Sequence, residues 1–112
     1  PAWEMLGVGL KPIPDETFQK QYKTRYRGGL AVTSLCAGGP AAEQGIRTGD
    51  VLVGMHIWET VSLENVAYIL KRPDLAGFNP VKFFILRGNE TLYGYLPVAP
   101  AKPEPQQQAR RP

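Results

Sequence analysis

The sequence predicts a mainly β member of the α+β class, a small, partly open barrel of five to six strands capped by two helices. Three observations predict it. Short β-leaning runs recur at Leu30–Leu35, Val51–His56, Val81–Leu86 and Thr91–Leu96, each bounded by Gly, Pro or Asn. Two segments carry helix signals, one beginning at Asp15 and one at Ser62. The 112 residues, 43% hydrophobic and 21% charged, suit one domain with a modest core.

Met5 to Ile13 reads as an extended opening segment, ended by Pro12 and Pro14 because proline cannot donate to a strand ladder. Asp15 is the expected N-cap of a short helix through about Tyr22, and Gly28-Gly29 breaks the chain before the run Leu30–Leu35. Gly38-Gly39-Pro40 is a turn, with Pro40 suited to the first turn of a helix through Gln44. Gly45 closes that helix as a left-handed cap. Gly49-Asp50 leads into Val51–His56, and a further extended piece follows at Ile57–Thr60. Ser62 caps the strongest helix, with Glu64 and Asn65 in its first turn, Lys71 and Arg72 in its last, and Pro73 as its stop. Val81–Leu86 and Thr91–Leu96, joined across Arg87-Gly88-Asn89-Glu90, form a hairpin.

From Pro97 the composition shifts to Pro, Ala and Gln with no aromatic residue. Residues 1–98 are expected to form the domain, and 99–112 a disordered tail or linker that buries too little surface to offset its ordering entropy. The Pro1-Ala2 start, without an initiator methionine, leads to the expectation of a piece from a longer protein.

The net charge of +3 is a weak electrostatic signal. Lys20, Lys23, Arg25 and Arg27 cluster without the stacking aromatics of a nucleic-acid motif, so no nucleic-acid partner is expected. No apolar run approaches the ~20 residues of a membrane span, so no membrane insertion is expected. Cys36, the single cysteine, can form neither an internal disulfide nor a thiolate cage, and no cofactor or metal is expected.

The run Gly39-Pro40-Ala41-Ala42-Glu43-Gln44-Gly45-Ile46-Arg47-Thr48-Gly49-Asp50-Val51-Leu52 resembles the G-S-P-A-x-x-A-G-L-x-x-G-D-x-I segment of PDZ domains. Trp3-Glu4-Met5-Leu6-Gly7-Val8 and Leu86-Arg87-Gly88-Asn89-Glu90-Thr91-Leu92 resemble the opening and closing segments of PDZ domains from HtrA/Deg-type trypsin-like serine proteases. The resemblance spans about residues 3–98 and implies a PDZ-like barrel in the circularly permuted, protease-associated strand order. The residues of the 39–52 run are expected to be structural, with Asp50 bonding nearby backbone amides at the entry to the next strand.

The resemblance also implies a peptide groove. A ligand would add as a strand to an exposed edge and place its side chains in pockets. Met5-Leu6-Gly7-Val8 matches the family's carboxylate loop, so the amides of Leu6, Gly7 and Val8 would form an anion nest. The strand from Val8 through Gly9 and Leu10 to Lys11 would pair with the peptide. Ser62–Lys71 matches the groove helix; Leu63, Ala67 and Leu70 fall on one stripe facing the groove, with Val66 and Ile69 in the core. Leu6, Val8 and Leu70 would form the pocket for a terminal apolar residue. Leu63 stands where many members carry a histidine, which implies preference for a hydrophobic ligand side chain there. Glu4 departs from the basic residue common before the loop. It would repel a terminal carboxylate unless Arg25 or Arg27 compensates, which keeps recognition of internal segments open.

The expected partners are apolar peptides or protein C-termini and a parent protease domain, with homo-oligomerisation through the full-length protein. The chain itself is expected to have no catalytic residues. By resemblance alone, the location is the bacterial periplasm or cell envelope. Two other readings stand beside this one: a scaffold or oligomerisation PDZ domain of a non-protease envelope protein, and a small hydrolase using Cys36. No nucleophile signature surrounds Cys36, and His56 lacks a second metal ligand at useful spacing. Trp58 and Phe78 are read as core anchors before contact residues.

Overall fold

The computed structural model describes residues 2–78 and 80–97. The chain opens with a helix, α1 (Ala2–Leu6), and β1 (Val8–Pro12) follows directly. Here the sequence expectation fails, because Met5 and Leu6 are helical and not extended. Gly7 makes the change of direction at φ 71°, a left-handed backbone that side chains oppose. A Cβ on Gly7 would also stand 3.2 Å from the Cβ of Cys36, so the close approach of that turn requires glycine twice over.

Next come α2 (Asp15–Gln21) and β2 (Leu30–Leu35). Pro14, not Asp15, is the residue preceding α2, and no side chain caps it. Asp15 and Glu16 instead place two acids in the first turn, where the helix dipole favours them. The short α3 (Pro40–Glu43) begins on proline as expected, and Gly45 and Gly49 take φ of 91° and 98° in the turns after it.

The remaining elements are β3 (Val51–Met55), β4 (Trp58–Glu59), α4 (Leu63–Leu70), a 3-10 turn (Leu75–Phe78), β5 (Val81–Arg87) and β6 (Glu90–Leu96). β3 stops one residue short of expectation because His56 turns to φ 55°. α4 has a reciprocal cap: the Ser62 hydroxyl accepts from the Asn65 amide at 3.2 Å, and the Asn65 side chain accepts from the Ser62 amide at 3.0 Å.

The six strands form one antiparallel sheet in the order β1-β2-β3-β5-β6, with β4 attached to β3. It does not close, since β1 and β6 lie at opposite ends of that order. Two capping helices were expected; among the described residues there are four α-helices, of which α1 was not foreseen. The main core joins Leu30, Val32, Leu52, Met55, Phe83 and Ile85 of the sheet to Val66, Ile69 and Leu70 of α4. A smaller cluster on the other face packs Phe18 of α2 against Val51, Val53 and Leu86. Trp58 is partly buried against the main core, while the side chain of Phe78 and the expected tail lie outside the described residues.

Close backbone packing sets a tight tolerance at Gly29. A Cβ there would sit 3.0 Å from Val53 Cγ1 and 3.1 Å from the Leu52 carbonyl oxygen, with Val51 Cγ1 nearer still. Val51 and Val53 are fully buried and have no room to yield. Gly29→Ala is expected to cost about 1–3 kcal/mol, seen as a lower urea midpoint at unchanged slope.

The end of α4 is held by Arg72, whose guanidinium lies 4.6 Å over the Trp58 ring and donates to both carboxylate oxygens of Asp74 at 2.9 Å. Those donated bonds hold the Asp74 carboxyl below the usual carboxylate range. The contribution of this pair is therefore intact above the ordinary carboxylate pKa and is lost as pH falls through the depressed value. An NMR titration of the Asp74 carboxyl carbon should show a midpoint below that of an unstructured aspartate.

Candidate peptide-binding groove

β1 is an end strand and, among the described residues, pairs only with β2. Its partner register shifts between Gly9 and Leu10, a bulge that bends the edge. The Gly7 carbonyl accepts from the Cys36 amide at 2.9 Å on the β2 side. Alternation along the strand then turns the N–H and C=O of Val8 toward the open edge.

α4 packs beside this edge and contacts both β1 and α1. Between them runs a groove of about 230 Å³. Val8, Gly9 and Leu10 form its strand wall, and Leu63, Val66 and Ala67 its helix wall. Ala2 and Trp3 of α1 complete the lining. Every side chain in this lining is uncharged. Leu63 is 46% exposed although it is a leucine at the start of a helix, so its apolar surface faces the groove mouth without being spent on the core. Val66, expected only in the core, is 2% exposed and also forms part of the groove floor.

Four of the expected groove residues lie elsewhere. Leu6 is fully buried and Leu70 is 5% exposed, both inside the main core. Of the three residues expected to form the terminal-residue pocket, only Val8 lines the groove. Met5 is half-buried against the same core, and Gly7 is buried in the turn against Cys36 and Gly39. The physical reason is α1: by folding as a helix, the opening segment carries Leu6 inward and brings Ala2 back against the core.

The expected anion nest changes for the same reason. The Gly7 amide donates to the Trp3 carbonyl at 3.0 Å, so it caps α1 and does not point at the groove. Leu6 sits in the last turn of that helix, where amides point back along the axis. Glu4 is exposed on α1. Neither arginine proposed to offset it does so: Arg27 pairs with Glu59 at 3.4 Å, and the Arg25 guanidinium lies 5.6 Å over the Tyr26 ring.

Besides Val66, the groove residues that sequence reasoning missed are Ala2 and Trp3. Their signal was weak, since a helix of five residues has no apolar period to read. Asp50 was read correctly as a backbone partner, accepting from the Arg47 amide at 2.8 Å. Its larger role was not legible: the buried carboxylate also takes two bonds from Arg87, at 2.9 and 2.8 Å, and the same guanidinium reaches the Gly45 carbonyl at 2.8 Å. This ties the turn before β3 to the end of β5. Cys36 is exposed, and His56 stacks near Trp58 at 5.2 Å in a pocket that does not include Cys36. Among the described residues, no three His, Cys, Asp or Glu side chains gather as a metal site.

No protein-family model matches the sequence, and no curated protein matches it significantly. Solved structures do. The HtrA3 PDZ domain bound to a phage-derived ligand (FGRWV) superposes with a TM-score of 0.62 at 17% identity, over 83% of this chain and 81% of that one. The HtrA-type protease AlgW with a decapeptide superposes with a TM-score of 0.65 at 23% identity, over 89% of this chain but 30% of that one. The chain therefore has a PDZ-like fold, resembling that of PDZ domains in HtrA-type proteins.

Proposed function

We propose that this chain is a peptide-binding PDZ module that captures extended apolar segments by strand addition along β1. The carrying observation is the juxtaposition of an unpaired strand edge with an uncharged groove walled by Leu63 and Ala67. The edge supplies main-chain donors and acceptors, and the groove supplies apolar contact for alternate side chains. Both superposed structures are described with a peptide, which supports the same use here. With one or two buried side chains offsetting the ordering of a short ligand, the affinity falls in the micromolar range.

The finer reading is that the module recruits substrate to, or regulates, a trypsin-like serine protease of the bacterial periplasm or cell envelope. The opening and closing motifs and the 30% coverage of AlgW support it.

Strand addition has a direct test. A fluorescent apolar peptide is titrated beside two versions carrying N-methyl groups at alternate residues, in the two possible phases. One phase removes donors that face β1 and is expected to weaken binding at least about tenfold. The other phase faces away and should bind nearly as the parent does. Equal loss in both phases, or in neither, would exclude pairing with the strand.

A further inference from the structure

We propose that the groove recognises internal segments of a chain and not its free C-terminal carboxylate; this rests on the strand-addition reading above. Three features of the end where a carboxylate would arrive argue for it.

The Gly7 amide is already bonded to the Trp3 carbonyl at 3.0 Å, so a carboxylate meets a satisfied donor there. That bond also places the carbonyl end of α1, the negative end of a helix, beside the turn. Finally, Leu6 and Leu70, which would wall the pocket of a terminal residue, are packed into the core and lie outside the groove lining.

An internal segment avoids all three obstacles. It brings no charge to be stabilised, needs no amide from Gly7, and requires no pocket at Leu6 and Leu70. Its backbone pairs with β1 over Val8 to Leu10, its side chains meet Leu63, Val66 and Ala67, and the continuing chain leaves over Ala2 and the exposed Trp3. The ligand chemistry is therefore an extended, uncharged, apolar stretch with chain on both sides, as an unfolded protein offers.

One apolar sequence in three forms tests this: as a free acid, as a C-terminal amide, and embedded at the centre of a flexible polar peptide. The three are expected to bind within about threefold of one another. In the spectrum of the complex, the Gly7 amide resonance should stay near its free position while those of Val8 and Leu10 shift. A free acid that binds about tenfold tighter than the other two, with a displaced Gly7 amide, overturns the inference and leaves strand addition standing. Failure of all three forms to bind overturns strand addition itself, and this inference with it.

Discussion

Leu63→Glu should lower affinity for an apolar peptide about tenfold while leaving the melting temperature nearly unchanged. The two halves of this result have separate causes. Leu63 is 46% exposed, so close to half of its surface adds nothing to the folded protein on its own. It is also the first residue of α4, directly after the Ser62 cap, where a carboxylate is favoured by the helix dipole. Folding therefore loses little. In the groove the same change replaces an apolar wall with a charge that an apolar ligand must desolvate. Fully burying a leucine contributes about 1.5–3 kcal/mol, and part of that is recovered only when the ligand covers Leu63. Losing it gives the tenfold. Polarisation titration and a thermal melt of the same sample decide the matter: a melt lowered in step with affinity would move Leu63 from the groove to the core.

Asp50→Ala should do the reverse. The Asp50 side chain is 3% exposed and carries the two Arg87 bonds and the Arg47 amide bond described above. Removing it leaves the Arg47 amide without its acceptor in a tight turn and strips Arg87 of its carboxylate. Asp50 also raises the Arg87 pKa further above its usual range, which marks how closely the two are joined. Arg87 is partly exposed and can turn to water, so the loss stays below that of a fully buried pair. The expected cost is about 3 kcal/mol, which is a fall in melting temperature on the order of 15 °C for a domain this size. Asp50→Asn keeps an acceptor for the Arg47 amide and should fall between. Because Asp50 lies outside the groove lining, peptide affinity measured well below the melt should be unchanged. A stability loss under about 1 kcal/mol would show that Arg87 and the turn find other partners without it.

Elements with a strong local signature were legible before the structure. Ser62 with Asn65 announced the start of α4, and the turn residues around Gly88 announced the hairpin of β5 and β6. Gly45 and Gly49 were read as turn residues, and both take the left-handed backbone that glycine permits. What failed was the opening segment. Met-Leu-Gly-Val-Gly-Leu reads as extended because its apolar residues are closely spaced, but Ala2 and Leu6 are four apart and both meet the core when the segment coils. Five residues hold too little periodicity to distinguish the two, and tertiary packing decides.

The candidate groove divides the same way. The stripe Leu63, Ala67 and Leu70 was correctly placed on α4, yet 3.6-residue spacing says only that three side chains share a face. It cannot say how far along that face the neighbouring strand runs, and β1 leaves Leu70 under the core while Leu63 stays open.

Adjacent residues alone announced the strands and helices that follow α1 and the glycine turns, and carried the resemblance to HtrA-type PDZ domains. Only the folded molecule decided which edge stays unpaired, that Gly7 gives its hydrogen to Trp3, and that Arg87 closes on Asp50 from 37 positions away. Those depend on surfaces brought together from distant parts of the chain, and their free energies are determined by burial and geometry that no local pattern encodes.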